Sequence, residues 1–120
     1  MTESKVTKRY DLEERTFLFS RAVIEFTNDV PKTLANIEII KQVIRSSGSV
    51  GANYIEANEA LSKKDFAMRV KICRKEAKET QYWLKLLEAK CDDIVKRQQA
   101  LIGEATELMK IFGSIVEKVK

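Results

Sequence analysis

Residues 36–60 read NIEIIKQVIRSSGSVGANYIEANEA, and this stretch decides the fold, because it forms either one long helix or two segments joined by a loop. Gly48 and Gly51 favour a loop, since a glycine destabilises a helix interior by roughly 1 kcal/mol. The apolar row favours one helix, because it resumes in phase at Ile55. We therefore predict one helix from about residue 34 or 36 to residue 60, with a break near Gly48 as the alternative. Its predicted core row comprises Ile37, Ile40, Ile44, Ser47 or Gly48, Gly51 and Ile55.

Another helix precedes this stretch. It runs from about Asp11, which suits an N-cap, to Val30, where Pro31 ends it. Residues 1–10 are polar and mixed in charge, and we expect them to be disordered or frayed. The apolar row of this helix comprises Leu12, Phe19, Ala22, Val23, Phe26 and Val30, with Phe17 and Ile24 lying off it.

Two more helices follow. Ser62, with Asp65 three residues later, resembles a capping box and opens a third helix that ends near Lys90. Asp92 and Asp93 suit the positive N-terminal end of a fourth helix. The third row comprises Phe66, Val70, Cys73, Ala77, Thr80, Leu84 and Leu87. The fourth row comprises Ile94, Gln98, Leu101, Ala105, Leu108, Phe112, Ile115 and Val119.

Four apolar rows and three short connections predict an all-α, up-and-down four-helix bundle that forms one domain over residues 11–120. No apolar run approaches the roughly 20 residues that span a membrane, and the N-terminus lacks the features of a signal peptide. We therefore expect a cytoplasmic protein without membrane contact. Cys73 and Cys91 are not spaced as a redox or zinc pair and are expected to be buried or half-buried free thiols.

The second and third helices each carry a further apolar row, roughly 120–150° around the helix from the first. One row per helix suffices for an isolated bundle, and large exposed apolar surfaces mark interfaces. We therefore predict a homo-oligomer with Trp83 and Tyr54 as anchors, while a wide core in a monomer is the alternative. The predicted interface comprises Ile39, Val43, Val50, Tyr54, Met68, Ile72, Trp83 and Leu86.

The net charge of +4 comes from one segment. Residues 63–90 carry nine basic and four acidic groups, whereas residues 1–30 carry five and six and the remaining segments are balanced. Five of the cations fall within about 100° of the third helix, and such a basic row suits a polyanion such as RNA. A solvated face or salt bridges to other helices are the alternatives. These five residues are Lys71, Arg74, Lys75, Lys78 and Lys85.

The sequence contains no pattern typical of catalysis or of metal and cofactor binding. It has no histidine, which is the commonest general base and the partner of glutamate in the metal sites of helical bundles. The segment from Gly48 to Gly51 lacks the length and the lysine of a phosphate-binding loop. Glu76 and Glu79 are spaced for ion pairing with another helix. We therefore predict no catalytic, cofactor or metal residues and no enzymatic activity.

Two stretches also carry a family resemblance. One is RSSGSVGANYIEA at residues 45–57, and the other extends over residues 66–84 and contains KEA followed by ETQYWL. With SKKDF at residues 62–66 between them, they resemble the bacterial four-helix-bundle family named for open reading frames in 23S rRNA intervening sequences. The likeness covers about residues 12–118.

The resemblance implies an up-and-down bundle that assembles as a ring-shaped homopentamer. The family is also similar to accessory proteins of diversity-generating retroelements, which are basic pentamers that bind nucleic acid and a reverse transcriptase. By that likeness, the basic row of the third helix becomes a candidate RNA-contacting surface. The leading hypothesis is thus a non-enzymatic, oligomeric bundle that binds RNA or a ribonucleoprotein partner. The alternative is a protein-interaction or assembly module that never contacts nucleic acid.

Overall fold

A computed structural model describes the backbone of residues 4–119 and the side chains of residues 12–119. It contains four helices: α1 (Ser4–Asp29), α2 (Leu34–Asn58), α3 (Lys63–Leu86) and α4 (Asp92–Lys118). Each helix packs against the next one in the chain, and α4 returns to α1. The backbones of the diagonal helices lie further apart and meet through core side chains, such as the rings of Tyr54 in α2 and Phe112 in α4, whose centroids are 5.7 Å apart. The predicted all-α, up-and-down four-helix bundle is confirmed, and the described residues form no strand.

The helix ends follow local signals. The Ser62 hydroxyl accepts a hydrogen bond of 3.0 Å from the Asp65 backbone N–H, as its position in the sequence predicts. Thr33 caps α2 in the same way, and α3 ends at Leu86, before the expected Lys90. The backbone of α1 begins at Ser4, ahead of the expected start, because no glycine or proline interrupts the segment. Since the side chains of residues 1–11 lie outside the described ones, the frayed segment stays a prediction.

One buried side chain joins two of the connections between helices. Asn36, 1% exposed, donates hydrogen bonds from Nδ2 to the carbonyl oxygens of Pro31 (2.9 Å) and Glu88 (3.0 Å). Its Oδ1 accepts a bond of 3.0 Å from the Glu88 backbone N–H. Gln98 similarly donates to the carbonyl oxygens of Leu84 and Leu87. These bonds satisfy backbone groups that the end of α3 would otherwise leave unpaired.

The predicted core rows of α1, α3 and α4 face the interior. The core row predicted for α2 was wrong in most positions, although its Ser47 is fully buried and its Ile40 packs against the core. Val43 and Val50 are fully buried and Tyr54 is 4% exposed, although all three were assigned to an outer face. The isoleucines assigned to the core are instead 38–51% exposed at Ile44 and Ile55. Gly48 and Gly51 of the predicted row face Ser20 and Thr16 of α1, whereas Val43, Val50 and Tyr54 belong to the core of the bundle.

Gly51 marks the closest approach of α1 and α2. A Cβ atom added to Gly51 would lie 3.0 Å from Oγ1 and 3.3 Å from Cβ of Thr16. Thr16 is 1% exposed, and its hydroxyl donates to the carbonyl oxygens of Leu12 and Glu13, so it has little freedom to move. The absence of a side chain at Gly51 thus admits α1, and the single helix predicted through Gly48 and Gly51 is confirmed.

Two glycine substitutions test this contact. Gly51→Val should lower the free energy of unfolding by about 1–3 kcal/mol, because its side chain overlaps Thr16. Gly103→Ala, at a helical position with no atom within 4 Å of the new Cβ, should raise it by up to about 1 kcal/mol. Urea denaturation measures both changes. Equal midpoints for Gly51→Val and the unsubstituted protein would contradict the close approach.

Candidate nucleic-acid interface

The five predicted basic residues form one continuous exposed row on α3. Lys71, Arg74, Lys75, Lys78 and Lys85 are all exposed. At a rise of 1.5 Å per residue, the row from Lys71 to Lys85 is about 21 Å long. We call these five residues the basic row.

The carboxylates nearest to the basic row along α3 are directed away from it. Arg45 of α2 donates to Glu76 Oε1 at 3.4 Å and to Glu79 Oε1 at 3.0 Å. No member of the basic row forms an ion pair with another described residue, whereas Arg15, Arg45 and Arg97 each do. The expected pairing of Glu76 and Glu79 with another helix is confirmed, and the basic row keeps its positive charge.

Two small residues of α4, Gly113 and Thr106, lie beside the basic row. Arg74 lies over Gly113 of α4, where an added Cβ would be 3.6 Å from its Nε. Gln81 donates a hydrogen bond of 2.6 Å to the Thr106 hydroxyl, and this bond joins α3 to α4. Tyr82 is 57% exposed beside the row and packs edge-on against Trp83, with ring centroids 5.1 Å apart. A phosphate chain could therefore approach the cations, and Tyr82 offers a base a stacking surface.

The two stretches that carry the family resemblance meet between α2 and α3. Besides the Arg45 pairs, the buried Thr80 hydroxyl donates to Ser46 Oγ at 2.8 Å and to the Glu76 carbonyl oxygen at 2.8 Å. At the next layer, Arg69 donates to Asn53 Oδ1 at 3.1 Å. These residues therefore hold the helices in register and set the rotation of α3, which decides where the basic row points.

The structure separates the eight predicted interface residues into two groups. Val43, Val50 and Tyr54 belong to the core of one chain, so their assignment to an oligomer interface was wrong. The other five lie at or near the surface: Met68 and Leu86 are exposed, and Ile39, Ile72 and Trp83 are half-buried. Their role in assembly stays a prediction. The Trp83 indole N–H is itself buried without a hydrogen-bond partner among the described residues.

Sequence reasoning missed the exposed apolar surface where α1 meets α2. Ile37, Ile44 and Ile55 of α2 are 38–51% exposed, and Phe17 and Ile24 of α1 are 58% and 42% exposed. The signal was present, because both apolar rows of α2 were visible and Phe17 and Ile24 lie off the main row of α1. Only the choice between the two rows of α2 was incorrect.

Within residues 12–119, no three His, Cys, Asp or Glu side chains are grouped to hold a metal ion. Burial raises the pKa of the Cys73 thiol to about 12, which makes it a poor nucleophile. Both cysteines are free, but Cys91 is exposed, so the expectation of a buried or half-buried thiol was wrong for Cys91. A shallow groove between α1 and α4 has a volume of about 510 Å³ and is lined by Leu18, Ala22 and Leu101, among others. At the edge of this groove Arg15 donates hydrogen bonds to the Glu104 carboxylate, and these bonds raise the pKa of the guanidinium. None of the described helices is both long and apolar enough to cross a membrane.

Fold and surface define an all-α bundle with one strongly basic face. Residues 8–114 match the family described as 23S rRNA-intervening sequence protein, and the chain belongs to this family. It is also similar to the crystal structure of a protein of unknown function from the S23 ribosomal protein family of Bacteroides thetaiotaomicron. That match has a TM-score of 0.79 and 29% identity, and covers 92% of this chain and 98% of the other. No curated protein is similar to the chain. Neither matched description names an enzymatic activity.

The Arg45 pairs can be tested by a double-mutant cycle. Arg45→Met should lower the free energy of unfolding by about 1–2 kcal/mol, because the Glu76 carboxylate, only 9% exposed, loses its partner. Adding Glu76→Gln should recover most of that loss, since the neutral amide does not need the guanidinium. Urea denaturation of the four proteins gives the coupling energy. Strictly additive effects would show that Arg45 does not stabilise Glu76.

Proposed function

We propose that this protein is a non-enzymatic, oligomeric bundle that binds RNA through the basic row of α3. The proposal rests on one observation above all: five exposed cations lie together without acidic partners among the described residues. Like charges at i,i+4, such as Lys71 with Lys75, destabilise a helix by a few tenths of a kcal/mol per pair. A phosphate backbone offsets this repulsion and releases its counterions when it binds.

RNA suits the surface better than a compact acidic ligand does. The row extends for about 21 Å along one exposed helix face, so it fits a chain of phosphates rather than one anion. The family description refers to 23S rRNA, which also favours RNA as the polyanion. The partner could equally present its RNA within a ribonucleoprotein, because the same phosphates would be contacted.

Assembly belongs to the same proposal. The family resemblance implies a ring-shaped homopentamer, and exposed apolar side chains such as Met68, Leu86 and Phe17 offer surfaces for it. Repeating the basic row in each copy would convert modest contacts into useful affinity through avidity. We place the protein in the cytoplasm, in keeping with its two free cysteines.

Charge reversal tests the RNA contact. The variant Lys71→Glu, Arg74→Glu, Lys78→Glu should reduce affinity for a fluorescently labelled, structured RNA by at least 100-fold, because attraction to phosphates becomes repulsion. Fluorescence anisotropy measures the affinity, and light scattering should show an unchanged oligomer.

The matched control reverses three exposed lysines outside the row, with the same change in net charge. Lys41→Glu, Lys96→Glu, Lys118→Glu should lose less than tenfold in affinity. Unchanged RNA binding in the α3 variant would exclude the basic row. If the unsubstituted protein binds no RNA, the alternative of a pure protein-assembly module is favoured instead.

A further inference from the structure

Tyr82 lies on the same side of α3 as the basic row. At 100° per residue, its direction around the helix falls between those of Lys71 and Lys75. Along the helix axis it lies about 6 Å beyond Lys78 and about 4.5 Å before Lys85, since each residue adds 1.5 Å. A strand of nucleic acid that contacts both of these lysines therefore passes over the tyrosine ring.

The hydrogen bonds of the two preceding residues fix the direction of Tyr82. The Thr80 hydroxyl donates to Ser46 of α2 at 2.8 Å, and the Gln81 side chain donates to Thr106 of α4 at 2.6 Å. Each further residue turns the helix by 100°, so Tyr82 points away from both neighbouring helices and is 57% exposed. The packing of the bundle thus leaves this aromatic ring on the outside.

Trp83 holds the Tyr82 ring in place. The Trp83 side chain packs against the core, and the two rings meet nearly at right angles, with centroids 5.1 Å apart and planes inclined at 72°. Such a pair is favourable and leaves at least one face of the Tyr82 ring free. Among the described residues, arginines lie over the rings of Phe17 and Phe26, whereas no cation covers that of Tyr82. The ring is therefore both supported and open to a flat ligand.

We propose that the basic row binds single-stranded RNA in preference to duplex RNA, and that one unpaired base stacks on Tyr82. This inference rests on the proposed function and names the class of RNA that the same site takes. Cations that follow a phosphate backbone, with an aromatic ring among them, are the usual surface for single strands. Every base has a flat face, so the contact does not require one particular sequence.

Duplex RNA fits this surface less well. Its bases are already stacked on one another, so Tyr82 would reach a base face only after a base had been extruded from the helix. Duplexes are also recognised by contacts that cross the minor groove to both strands, whereas the basic row is a single straight row on one helix. Charge alone favours the duplex, because its phosphates are more densely spaced. A preference for the single strand therefore reports stacking.

One RNA in two forms tests the proposal. A labelled strand of about 16 nucleotides without internal pairing, and the same strand annealed to its complement, are compared by fluorescence anisotropy at one salt concentration. The unsubstituted protein should bind the single strand at least about fivefold more tightly. Tyr82→Leu removes the aromatic face and should lower affinity for the single strand about tenfold, with less than about a twofold effect on the duplex. Tyr82→Phe keeps the ring and should retain the affinity for the single strand.

The matched control is Phe17→Leu, which removes an aromatic ring that is 58% exposed on α1, outside the basic row. It should leave the ratio of the two affinities unchanged, because any effect on assembly acts on both forms of the RNA alike. Circular dichroism verifies that each variant is folded.

Three outcomes would overturn the stacking contact and leave the RNA contact of the basic row in place. They are binding of the duplex at least as tight as that of the single strand, an unchanged affinity ratio in Tyr82→Leu, and a loss in Tyr82→Phe as large as that in Tyr82→Leu. Failure of the proposed function gives a different result: the unsubstituted protein then binds neither form, and both proposals fall.

Discussion

The contact between α2 and α3 is the constraint on which the rest of the molecule depends. Its polar layer includes the bond from Thr80 to Ser46 and the two pairs made by Arg45. Buried hydroxyls and a nearly buried carboxylate tolerate little sliding or rotation, because each displaced bond would leave a buried group unpaired. The register of α3 is thereby set, and the same bonds draw Glu76 and Glu79 to the α2 side of the helix. The positive face is a consequence of this internal pairing.

Much of the fold could be predicted from the sequence, because helical periodicity reports burial directly where a helix has one apolar row. The rows of α1 and α4 are of this kind. The second and third helices each have two apolar rows, and periodicity cannot rank them; the row chosen as the core of α3 is buried, whereas most of the row chosen for α2 is not. The branched aliphatic Ile44 looks as suited to a core as Val43 does. Contacts with the neighbouring helices decide which of the two rows is buried. Gly51 faces Thr16 of α1, and Ser46 accepts a hydrogen bond from Thr80 of α3.

The candidate site, too, could be predicted from the sequence only in part. The five cations of the basic row could be found by counting charges along the chain and placing them on a helical wheel. That these cations lack acidic partners could not be predicted. Arg45 is 31 residues from Glu76 in the chain, so their ion pair can be seen only in the folded bundle. The resulting molecule exposes apolar side chains, such as Phe17 and Met68, and a basic row. Under the proposed function, the apolar side chains would contact other copies and the basic rows would contact a polyanion, so that several weak phosphate-binding rows would act as one site.

The salt dependence of RNA affinity in the unsubstituted protein tests the central claim most directly. If unpaired cations of the basic row neutralise phosphates, the logarithm of the association constant should fall linearly with the logarithm of salt concentration. The slope should be about −0.7 to −0.9 per phosphate contacted, hence roughly −3 to −4 if most of one basic row is engaged, and steeper if several rows act together. A slope near zero, or no measurable affinity at low salt, would contradict the account.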